Sequence, residues 1–403
     1  MKNLFAGAAF ALLSVGAAPL AFAGGAEFVY VESNIKSANG NSIYAFKRGD
    51  NGGLTLVPGA PFLTGGAGVQ DASLMLGPYD SDTEIVTNPE HTLLFAVNSG
   101  SDSIAVFEIK ENGALEPVEG SPFWSGGTNP VSLALSGTTL FVVNKNGDFA
   151  RLSSTLPNYT SFRVSRNGHL TPLEGATVSV ALGSSPTQAL FIPGTNLVFG
   201  ADFLGGLIQR FNVNNDGYLQ PRAPEGLPAS EFADAATPRL PLGLWAHPIL
   251  PLLYVGFVTD NKLGVYAYNS YGHLTFLRTV PNTGQAICWL RVNRSGTRLY
   301  SSDTGSNSIS VYDLSLPEEP REIQNLVLSG LGNALQFSLS SDEKYLYALS
   351  SRGSATIPDG AGNVLHVLAV GSDGAVTELT DAAVNFHLPS GVRPQGVTTV
   401  TVK

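Results

Sequence analysis

The fold of this chain is decided by a stretch that occurs twice, as FAVNSGSDSIAVF at residues 95–107 and as YSSDTGSNSISVY at residues 300–312. Each copy consists of an apolar strand, a turn rich in Gly, Ser, Asn and Asp, and a second strand in which apolar and polar residues alternate. Such self-similarity predicts a repeat architecture. Each unit of a repeat protein buries its faces against its neighbours, so a chain of 403 residues needs no single shared core.

A turn containing Gly marks the same place in most of the repeats. Asn-Gly and Asp-Gly between alternating strands are the strongest short hairpin signal, because both residues tolerate a positive φ. The turns of this kind are 51–54, 112–115, 167–170, 216–219, 271–274 and 373–376. A further unit has Leu-Pro-Glu-Glu-Pro in the same place, at 316–320.

The second strand of each repeat ends in aromatic and aliphatic residues, and these strands allow the repeats to be counted along the chain. These strands are predicted to begin near Phe28, Leu93, Leu140, Leu197, Leu252, Leu299 and Tyr345. Seven units predict an all-β protein, a seven-bladed β-propeller with four antiparallel strands in each blade. The chain has a second strand first, at 28–31, and a strand last, at 396–402, so the C-terminal strand should pair with the N-terminal blade and close the ring. We expect a single domain from residue 24 to residue 403.

The first 23 residues have the pattern of a secretory signal peptide. Lys2 precedes an apolar run over residues 4–18, which is too short to span a bilayer, and small residues stand at Ala21 and Ala23. We expect cleavage after Ala23 and a secreted or periplasmic protein. An uncleaved membrane anchor is the alternative interpretation.

The composition excludes several classes of function. Only 13% of residues are charged, Lys and Arg total 22, and the net charge is −10, which argues against a nucleic-acid partner. The single cysteine, Cys288, cannot form an intrachain disulfide. No Gly-x-Ser-x-Gly, His-Glu-x-x-His or paired-cysteine pattern is present, so neither a metal nor a cofactor is predicted. No later segment is apolar enough for a membrane span, and a monomer is the expected state.

The loops at 97–104 and 303–309, each followed by a strand and an Asn/Asp-Gly-x-Leu turn, resemble those of lactonase-type seven-bladed propellers. That family includes the propeller form of 6-phosphogluconolactonase and carboxymuconate-lactonising enzymes. The closing Arg-Pro-Gln-Gly-Val at 393–397 also resembles the family's last strand. Family members often carry Asp-Leu-Gly-x-Asp in the fourth unit, whereas this chain has Asp-Phe-Leu-Gly-Gly at 202–206 and lacks the second Asp. The resemblance implies hydrolysis of a sugar or related lactone.

Lactone hydrolysis needs a base to activate water and donors for the developing oxyanion. By their positions near the predicted channel mouth, the candidate catalytic residues are Asp202, His387 and Arg393. Amide side chains near the starts of innermost strands suit a polyhydroxylated ligand, since amides both donate and accept hydrogen bonds. These candidate ligand-binding residues are Gln188, Gln285, Asn333 and Gln395.

Other carboxylates and histidines are weighed against these candidates. Glu231 and Asp234 lie in a long connection at 221–241 and are alternative bases that the sequence does not rank. The remaining histidines fall in turns or strand positions and are interpreted as structural, His169 and His273 because Gly, Ala or Tyr fills their place in other units. The alternative functions are a non-catalytic propeller that binds a ligand or protein, and a cell-envelope interaction module.

Overall fold

The computed structural model describes residues 25–69, 81–146, 156–352, 356–358, 360–379 and 386–402. The predicted signal peptide at 1–23 lies outside these residues. Regular structure in the described part is almost entirely strand, with 3₁₀ turns at Ala229–Glu231 and Thr304–Ser306. None of its helical segments has the length and apolar character needed to cross a membrane.

The described strands form seven antiparallel sheets, one for each predicted blade, arranged in a ring. Blade 1 contains β1 (Ala26–Glu32), β2 (Ser42–Arg48), β3 (Leu54–Leu56) and β4 (Phe62–Leu63). Blade 2 contains β5 (Ile85–Thr87), β6 (Leu93–Asn98), β7 (Ser103–Ile109), β8 (Leu115–Pro117) and β9 (Phe123–Trp124). Blade 3 contains β10 (Pro130–Ser136), β11 (Thr139–Asn144), β12 (Asn158–Val164), β13 (Leu170–Pro172) and β14 (Val178–Ser179).

The later blades follow the same plan. Blade 4 contains β15 (Leu190–Phe191), β16 (Leu197–Asp202), β17 (Leu207–Val213) and β18 (Leu219–Gly226). Blade 5 contains β19 (Pro241–Ala246), β20 (Leu252–Phe257), β21 (Lys262–Tyr268) and β22 (Leu274–Pro281). Blade 6 contains β23 (Ile287–Val292), β24 (Arg298–Asp303), β25 (Ser308–Asp313) and β26 (Arg321–Val327). Blade 7 contains β27 (Gly332–Leu339), β28 (Tyr345–Arg352), β29 (Val364–Val370), β30 (Val376–Glu378) and β31 (Phe386–His387), and the chain ends on β32 (Val397–Val402).

The C-terminal strand closes the ring as predicted. β32 pairs antiparallel with β1 over the register Ala26↔Val402 to Val31↔Val397 and is the innermost strand of blade 1. The second strands begin within two residues of the predicted positions in every blade. The prediction succeeds because the alternation and the turn residues that define each strand are recorded within short stretches of sequence.

The outermost strand differs between blades. In blades 1, 2, 3 and 7 it is divided into two short pieces that both pair with the third strand of the blade. In blades 4, 5 and 6 it is one strand of seven or eight residues, namely β18, β22 and β26. His387 is therefore part of a divided outer strand.

Neighbouring blades are joined by buried apolar side chains and by tyrosine hydroxyls. One core cluster contains Phe46 of blade 1, Leu346 of blade 7 and Tyr300 of blade 6. In four blades, a tyrosine of the second strand donates a hydrogen bond to the outer turn of the next blade. These contacts are Tyr30 to Gly113 O at 3.0 Å, Tyr254 to Pro317 O at 2.8 Å, Tyr300 to Gly374 O at 3.1 Å and Tyr347 to Gly52 O at 3.4 Å.

The innermost strands of blades 3, 5, 6 and 7 carry a register irregularity at the same place. The pairing shifts between Pro130 and Ser132, between Pro241 and Leu244, between Ile287 and Leu290, and between Ala334 and Phe337. A β-bulge inserts an extra residue and turns side chains in a new direction. These bulges position the side chains that surround the propeller axis.

Candidate functional site

Equivalent residues of the innermost strands surround the axis. In blade 2, Ile85 pairs with Ala96, and in blade 6, Leu290 pairs with Ser301. The residue immediately before Ile85 or Leu290 occupies a position that can be identified in all seven blades. We call this set the axial tier: Gly396, Glu84, Ser132, Gln188, Gly243, Trp289 and Gln336. The five members with side chains are all buried and polar or aromatic. The tier thus places polar and aromatic side chains at the centre of the ring.

A four-residue segment, Ser81–Asp82–Thr83–Glu84, lies across the axis just before β5, and we call it the axial segment. Its backbone bonds to three blades, through Asp82 N to Thr187 O at 3.0 Å, Leu133 N to Thr83 O at 2.9 Å and Val97 N to Glu84 O at 3.1 Å. Thr83 has a φ of 63°, which is unfavourable for a β-branched residue. Such strain persists only where the surroundings hold it, as these contacts do.

Side chains of the axial tier converge on this segment. Trp289 Nε1 and Gln336 Nε2 both donate to Ser81 O at 2.6 Å. Ser132 Oγ lies 2.8 Å from Thr83 Oγ1. Together with the backbone contacts, these bonds connect the axial segment to blades 2, 3, 4, 6 and 7.

Asp82 is paired with an arginine across the axis. Arg291 donates two hydrogen bonds of 2.8 Å to the two carboxylate oxygens of Asp82, and Gln188 Nε2 donates a third at 3.1 Å. The guanidinium of Arg291 also lies 4.3 Å from the centroid of the Trp245 ring. A forked Arg–carboxylate pair of this geometry fixes the orientation of the Asp82 side chain through two charge-assisted hydrogen bonds.

Glu84 receives donors from three directions. Ser81 Oγ donates at 2.8 Å, Gln395 Nε2 at 2.7 Å, and Gln336 Nε2 contacts both oxygens at 2.9 and 3.1 Å. Burial, together with the negative charge of Asp82, raises the pKa of Glu84 from 4.5 to about 8, although the hydrogen bonds act in the opposite direction. Glu84 is thus the buried carboxyl group at the axis that changes charge near neutral pH.

A third carboxyl group, Glu32, lies close enough to Glu84 for the charge of Glu84 to act on it. Burial raises the pKa of Glu32 well above its ordinary value, with a smaller contribution from Glu84, while a hydrogen bond from Asn41 lowers it. That bond, from Asn41 Nδ2 to Oε1, is 2.9 Å long. Among the described residues, the buried Oε2 of Glu32 has no hydrogen-bond partner. A buried polar atom without a partner is uncommon and marks Glu32 for functional attention.

The structure brings two of the four predicted amides into this network. Gln188 belongs to the axial tier and Gln395 contacts Glu84. Gln285 is instead exposed and accepts a hydrogen bond from Asn261 at 3.2 Å, and Asn333 is half-buried and donates to Thr304 O. In their blades the axial positions are Trp289 and Gln336.

The predicted catalytic residues are separated in the structure. Asp202 is buried and accepts from Ser185 N at 2.8 Å, Gly205 N at 3.0 Å and Gln209 Nε2 at 3.3 Å, so its carboxylate is used to hold the loop after β16. His387 is exposed on the outer strand of blade 7, where it pairs with Val364. Arg393 is buried, and its backbone N–H bonds to Ser33 O at 2.9 Å, two residues before Gln395.

The alternative bases also lie away from the axis. Glu231 Oε2 accepts from Thr279 Oγ1 of β22, and Asp234 is exposed and accepts from Ala236 N and Thr237 N. Within the described residues, no three or more His, Cys, Asp or Glu side chains are arranged to hold a metal ion. We take the axial network as the candidate site.

Sequence reasoning missed the axial segment, Glu32 and Arg291. Part of the axial network could have been found from the sequence. When the second strands of the blades are aligned, Glu84, Ser132, Gln188 and Gln336 fall at one position of the repeat. The pairing of Asp82 with Arg291, 209 residues later, has no local sequence signal.

The structure defines a closed seven-bladed β-propeller with a polar, carboxylate-containing axis. No family model matches the sequence. The chain is 23% identical over 235 residues to the 6-phosphogluconolactonase of Yersinia pestis, a match that covers 58% of this chain and 66% of that enzyme, slightly less than two thirds of its length. A 6-phosphogluconolactonase of Erwinia tasmaniensis is 22% identical over 239 residues, covering 58% of this chain and 67% of that enzyme.

Solved structures support the same fold. The periplasmic gluconolactonase of Pseudomonas aeruginosa superimposes with a TM-score of 0.68 at 16% identity, covering 93% of this chain and all of that chain. A protein of Bacteroides uniformis described as a 6-phosphogluconolactonase gives a TM-score of 0.69 at 16% identity, with 93% and 99% covered. The chain is a seven-bladed β-propeller and is similar to the 6-phosphogluconolactonases over part of its length.

Proposed function

We propose that this protein hydrolyses a sugar lactone at the axis of the propeller. The observation that carries the proposal is the set of three carboxyl groups in different environments: Asp82 is paired with Arg291, Glu84 has a pKa of about 8, and burial raises the pKa of Glu32 well above its ordinary value. Environments that separate the charge states of neighbouring carboxyl groups provide an acid and a base at one site. The names of the relatives support a sugar lactone as the substrate class.

In the proposed reaction, Glu84 in its ionised form removes a proton from the attacking water. A bond forms between the water oxygen and the lactone carbonyl carbon, and the carbonyl oxygen becomes an oxyanion. The guanidinium of Arg393 is the donor proposed to stabilise it, because the amide groups of Gln336 and Gln395 already donate to Glu84. Cleavage of the ring carbon–oxygen bond follows, and the proton held by Glu84 passes to the departing ring oxygen.

This assignment prefers Glu84 to Asp202 and His387 as the base. The carboxylate of Asp202 already accepts three hydrogen bonds within its own loop, and His387 lies on an outer strand. Arg393 remains in the proposal because it precedes Gln395, which contacts Glu84.

A steady-state lactone assay tests the proposal. Purified protein should hydrolyse δ-gluconolactone or its 6-phosphate above the spontaneous rate, and kcat/KM should rise with pH to a plateau with an apparent pKa of about 8, the pKa of Glu84. Glu84→Gln should lower kcat by about 100-fold or more, as expected for loss of a general base. His169→Ala, which changes an exposed residue of an outer turn, is the matched control and should retain parental activity.

Arg393→Ala tests whether the guanidinium takes part in the reaction. It should lower kcat/KM strongly if the guanidinium stabilises the oxyanion, and Gln188→Ala should have a smaller effect through Asp82. A parent protein that hydrolyses no lactone, or a Glu84→Gln variant with parental kcat, would reject the assignment.

A non-catalytic ligand-binding propeller is the second candidate. It is favoured by the dense hydrogen bonding of the axial segment, which leaves Asp82 and Glu84 already satisfied by protein donors. Under this function, sugar lactones or acids would raise the Tm of the protein without turnover.

We also propose that the chain is exported, on the pattern of residues 1–23. Intact mass of the protein recovered from the periplasm or the medium should correspond to a chain beginning at Gly24. Retention of the first residues in soluble cytosolic protein would contradict this proposal.

A further inference from the structure

The junction between blades 5 and 6 contains a polar cluster that the proposed reaction does not use. Asp303 of β24, Ser310 of β25 and Glu322 of β26 lie on one face of blade 6, and Asn282 and Thr283 belong to the connection that follows β22. Asp303 and Ser310 are fully buried, whereas Glu322 is half-buried. We call these five residues the blade 5–6 cluster.

The cluster holds the connection between the two blades against the sheet of blade 6. Asn282 Nδ2 donates to Asp303 Oδ1 at 2.6 Å, and Thr283 donates through its backbone N–H and its hydroxyl. The two oxygens of Glu322 accept these bonds from Thr283 at 2.9 and 2.8 Å. Gly284 packs directly on Asp303, since a Cβ added there would lie 2.3 Å from Oδ2. The connection then continues into β23, the innermost strand of blade 6.

The hydroxyl of Ser310 stands between the two carboxyl groups of the cluster. Its Oγ lies 2.7 Å from Asp303 Oδ2 and 2.8 Å from Glu322 Oε1, and also 2.8 Å from Asn282 Oδ1. A serine hydroxyl has one proton to donate. The contacts of Ser310 with the two carboxyl groups can both be hydrogen bonds only when one carboxyl group holds a proton and donates it to Oγ. The geometry therefore calls for one proton more than Ser310 supplies.

Asp303 is the group in the cluster that is suited to hold this proton. Burial raises the pKa of Asp303 from 3.8 to about 7, with a smaller contribution from the charge of Glu322, although hydrogen bonds to its oxygens act in the opposite direction. Tyr312 of β25 also lies near Asp303, and burial raises the pKa of its hydroxyl well above the ordinary value, so that it stays neutral. The connection from blade 5, residues 282–286, carries no charged side chain. Glu322 is half-buried and gives the proton a route to water.

Blade 7 has a different set of side chains at the corresponding positions, namely Ser350, His366 and Glu378. His366 Nδ1 lies 2.6 Å from Glu378 Oε1, and Nε2 lies 2.9 Å from Ser350 Oγ. A neutral imidazole with its proton on Nδ1 donates to the carboxylate and accepts from the serine. Both contacts are then hydrogen bonds without an added proton, so the need for one distinguishes blade 6 from blade 7.

We propose that the blade 5–6 cluster is a pH-sensitive joint, in which a proton shared by Asp303 and Glu322 through Ser310 fastens the 282–286 connection to blade 6. Without this proton, the closed joint buries an ionised Asp303 beside a second negative charge, whereas opening of the connection exposes Asp303 to water. The proton's stabilisation of the closed joint is fully present below about 3.8 and is lost as pH rises through about 7. The proposal holds whether or not the axis hydrolyses a lactone.

Hydrogen–deuterium exchange of backbone amides tests the proposal. Because Glu84 also titrates near neutral pH, every protein compared carries Glu84→Gln. In that background, protection of the 282–292 segment, corrected for the intrinsic pH dependence of exchange, should fall about ten-fold between about pH 6 and about pH 8.5, as expected for loss of a proton with a pKa of about 7. Asp303→Asn keeps the shape of the side chain but cannot ionise, and should give equal protection at the two pH values.

Asp216→Asn is the matched control, because it makes the same chemical change in an exposed Asp-Gly turn of blade 4 and should keep the parental pH dependence. Glu322→Gln removes the neighbouring charge and should move the midpoint of the fall to lower pH, which tests the joint even if Asp303→Asn folds poorly. Equal protection of the 282–292 segment across the pH series in the Glu84→Gln protein would overturn the proposal. So would an undiminished fall in Asp303→Asn, or an unshifted midpoint in Glu322→Gln.

Discussion

The environment of Glu84 shows how a single buried carboxyl group can couple folding to pH. Its side chain is enclosed by Ser81, Gln336 and Gln395, and Asp82 adds a negative charge beside it. Burial penalises the charged form, whereas the donors favour it. The balance is a pKa near 8, so the group titrates in the range in which the protein would be assayed.

This pKa predicts the sign of a pH effect on stability. Between about 4.5 and about 8, the folded protein holds a proton on Glu84 that the unfolded chain releases. Its contribution to the free energy of unfolding is therefore fully present below 4.5 and declines as pH rises through about 8. Urea unfolding at several pH values should show this decline in the parent, and Glu84→Gln should remove it. Identical pH profiles for the two proteins would contradict the assignment.

Residue-scale comparison within the repeat also distinguishes structural from functional residues. Asp202 occupies the sixth position of its second strand, where other blades have Asn98, Asn144, Phe257, Asp303 and Ser350. His387 pairs in the same way as Leu63 and Trp124, in outer pieces that two blades introduce with Pro-Phe. A position that accepts amides, hydroxyls or apolar residues does not require a carboxylate or an imidazole.

At the scale of the strand, the tyrosine hydroxyls are the polar contacts that join one blade to the next. Tyr30, Tyr254, Tyr300 and Tyr347 occupy a position at which blades 2, 3 and 4 have phenylalanine. The apolar ring is thus sufficient to fill the space, and the hydroxyl adds a directed bond to the following blade.

We predict that Tyr254→Phe lowers the free energy of unfolding by about 1 kcal/mol, because the carbonyl of Pro317 loses its donor. Chemical denaturation measures the change. Tyr268→Phe is the control, since in the described residues the half-buried Tyr268 makes ring contacts but no hydrogen bond through its hydroxyl. A Tyr254→Phe variant as stable as the control would mean that the bond adds nothing to blade docking.

At the scale of the whole molecule, closure depends on one strand. β32 is the innermost strand of blade 1 and continues from Gln395, which binds Glu84 of blade 2. Closing a sheet or a ring removes the unpaired edges that favour aggregation. The last strand therefore joins the two ends of the chain and connects them to the axial network.

Removal of residues 395–403 should lower the Tm by about 10 °C or more, or yield insoluble protein, because β1 loses its inner partner and Glu84 loses a donor. Removal of residues 402–403 leaves most of the pairing intact and should have a small effect. Differential scanning calorimetry of both truncations measures the difference. A long truncation with parental Tm would show that the ring does not depend on β32.

The sequence by itself determined the number of blades, the order and approximate limits of the strands, and the pairing of the last strand with the first blade. These features are local, since alternation and Asn-Gly turns lie within a few residues of one another, and repetition states them several times. Gln188 and Gln395, predicted as candidate ligand-binding residues, contact Asp82 and Glu84 of the axial segment.

Only the tertiary structure decided which side chains meet at the axis of the propeller. The axial positions of blades 6 and 7 are Trp289 and Gln336 rather than Gln285 and Asn333. A bulge shifts the register of each strand by one residue before these positions, and a bulge depends on pairing with the neighbouring strand rather than on the local pattern. The contact of Asp82 with Arg291 joins residues 209 positions apart. Closure of the ring creates that proximity, and burial there gives Glu84 a pKa that no isolated stretch of the chain would have.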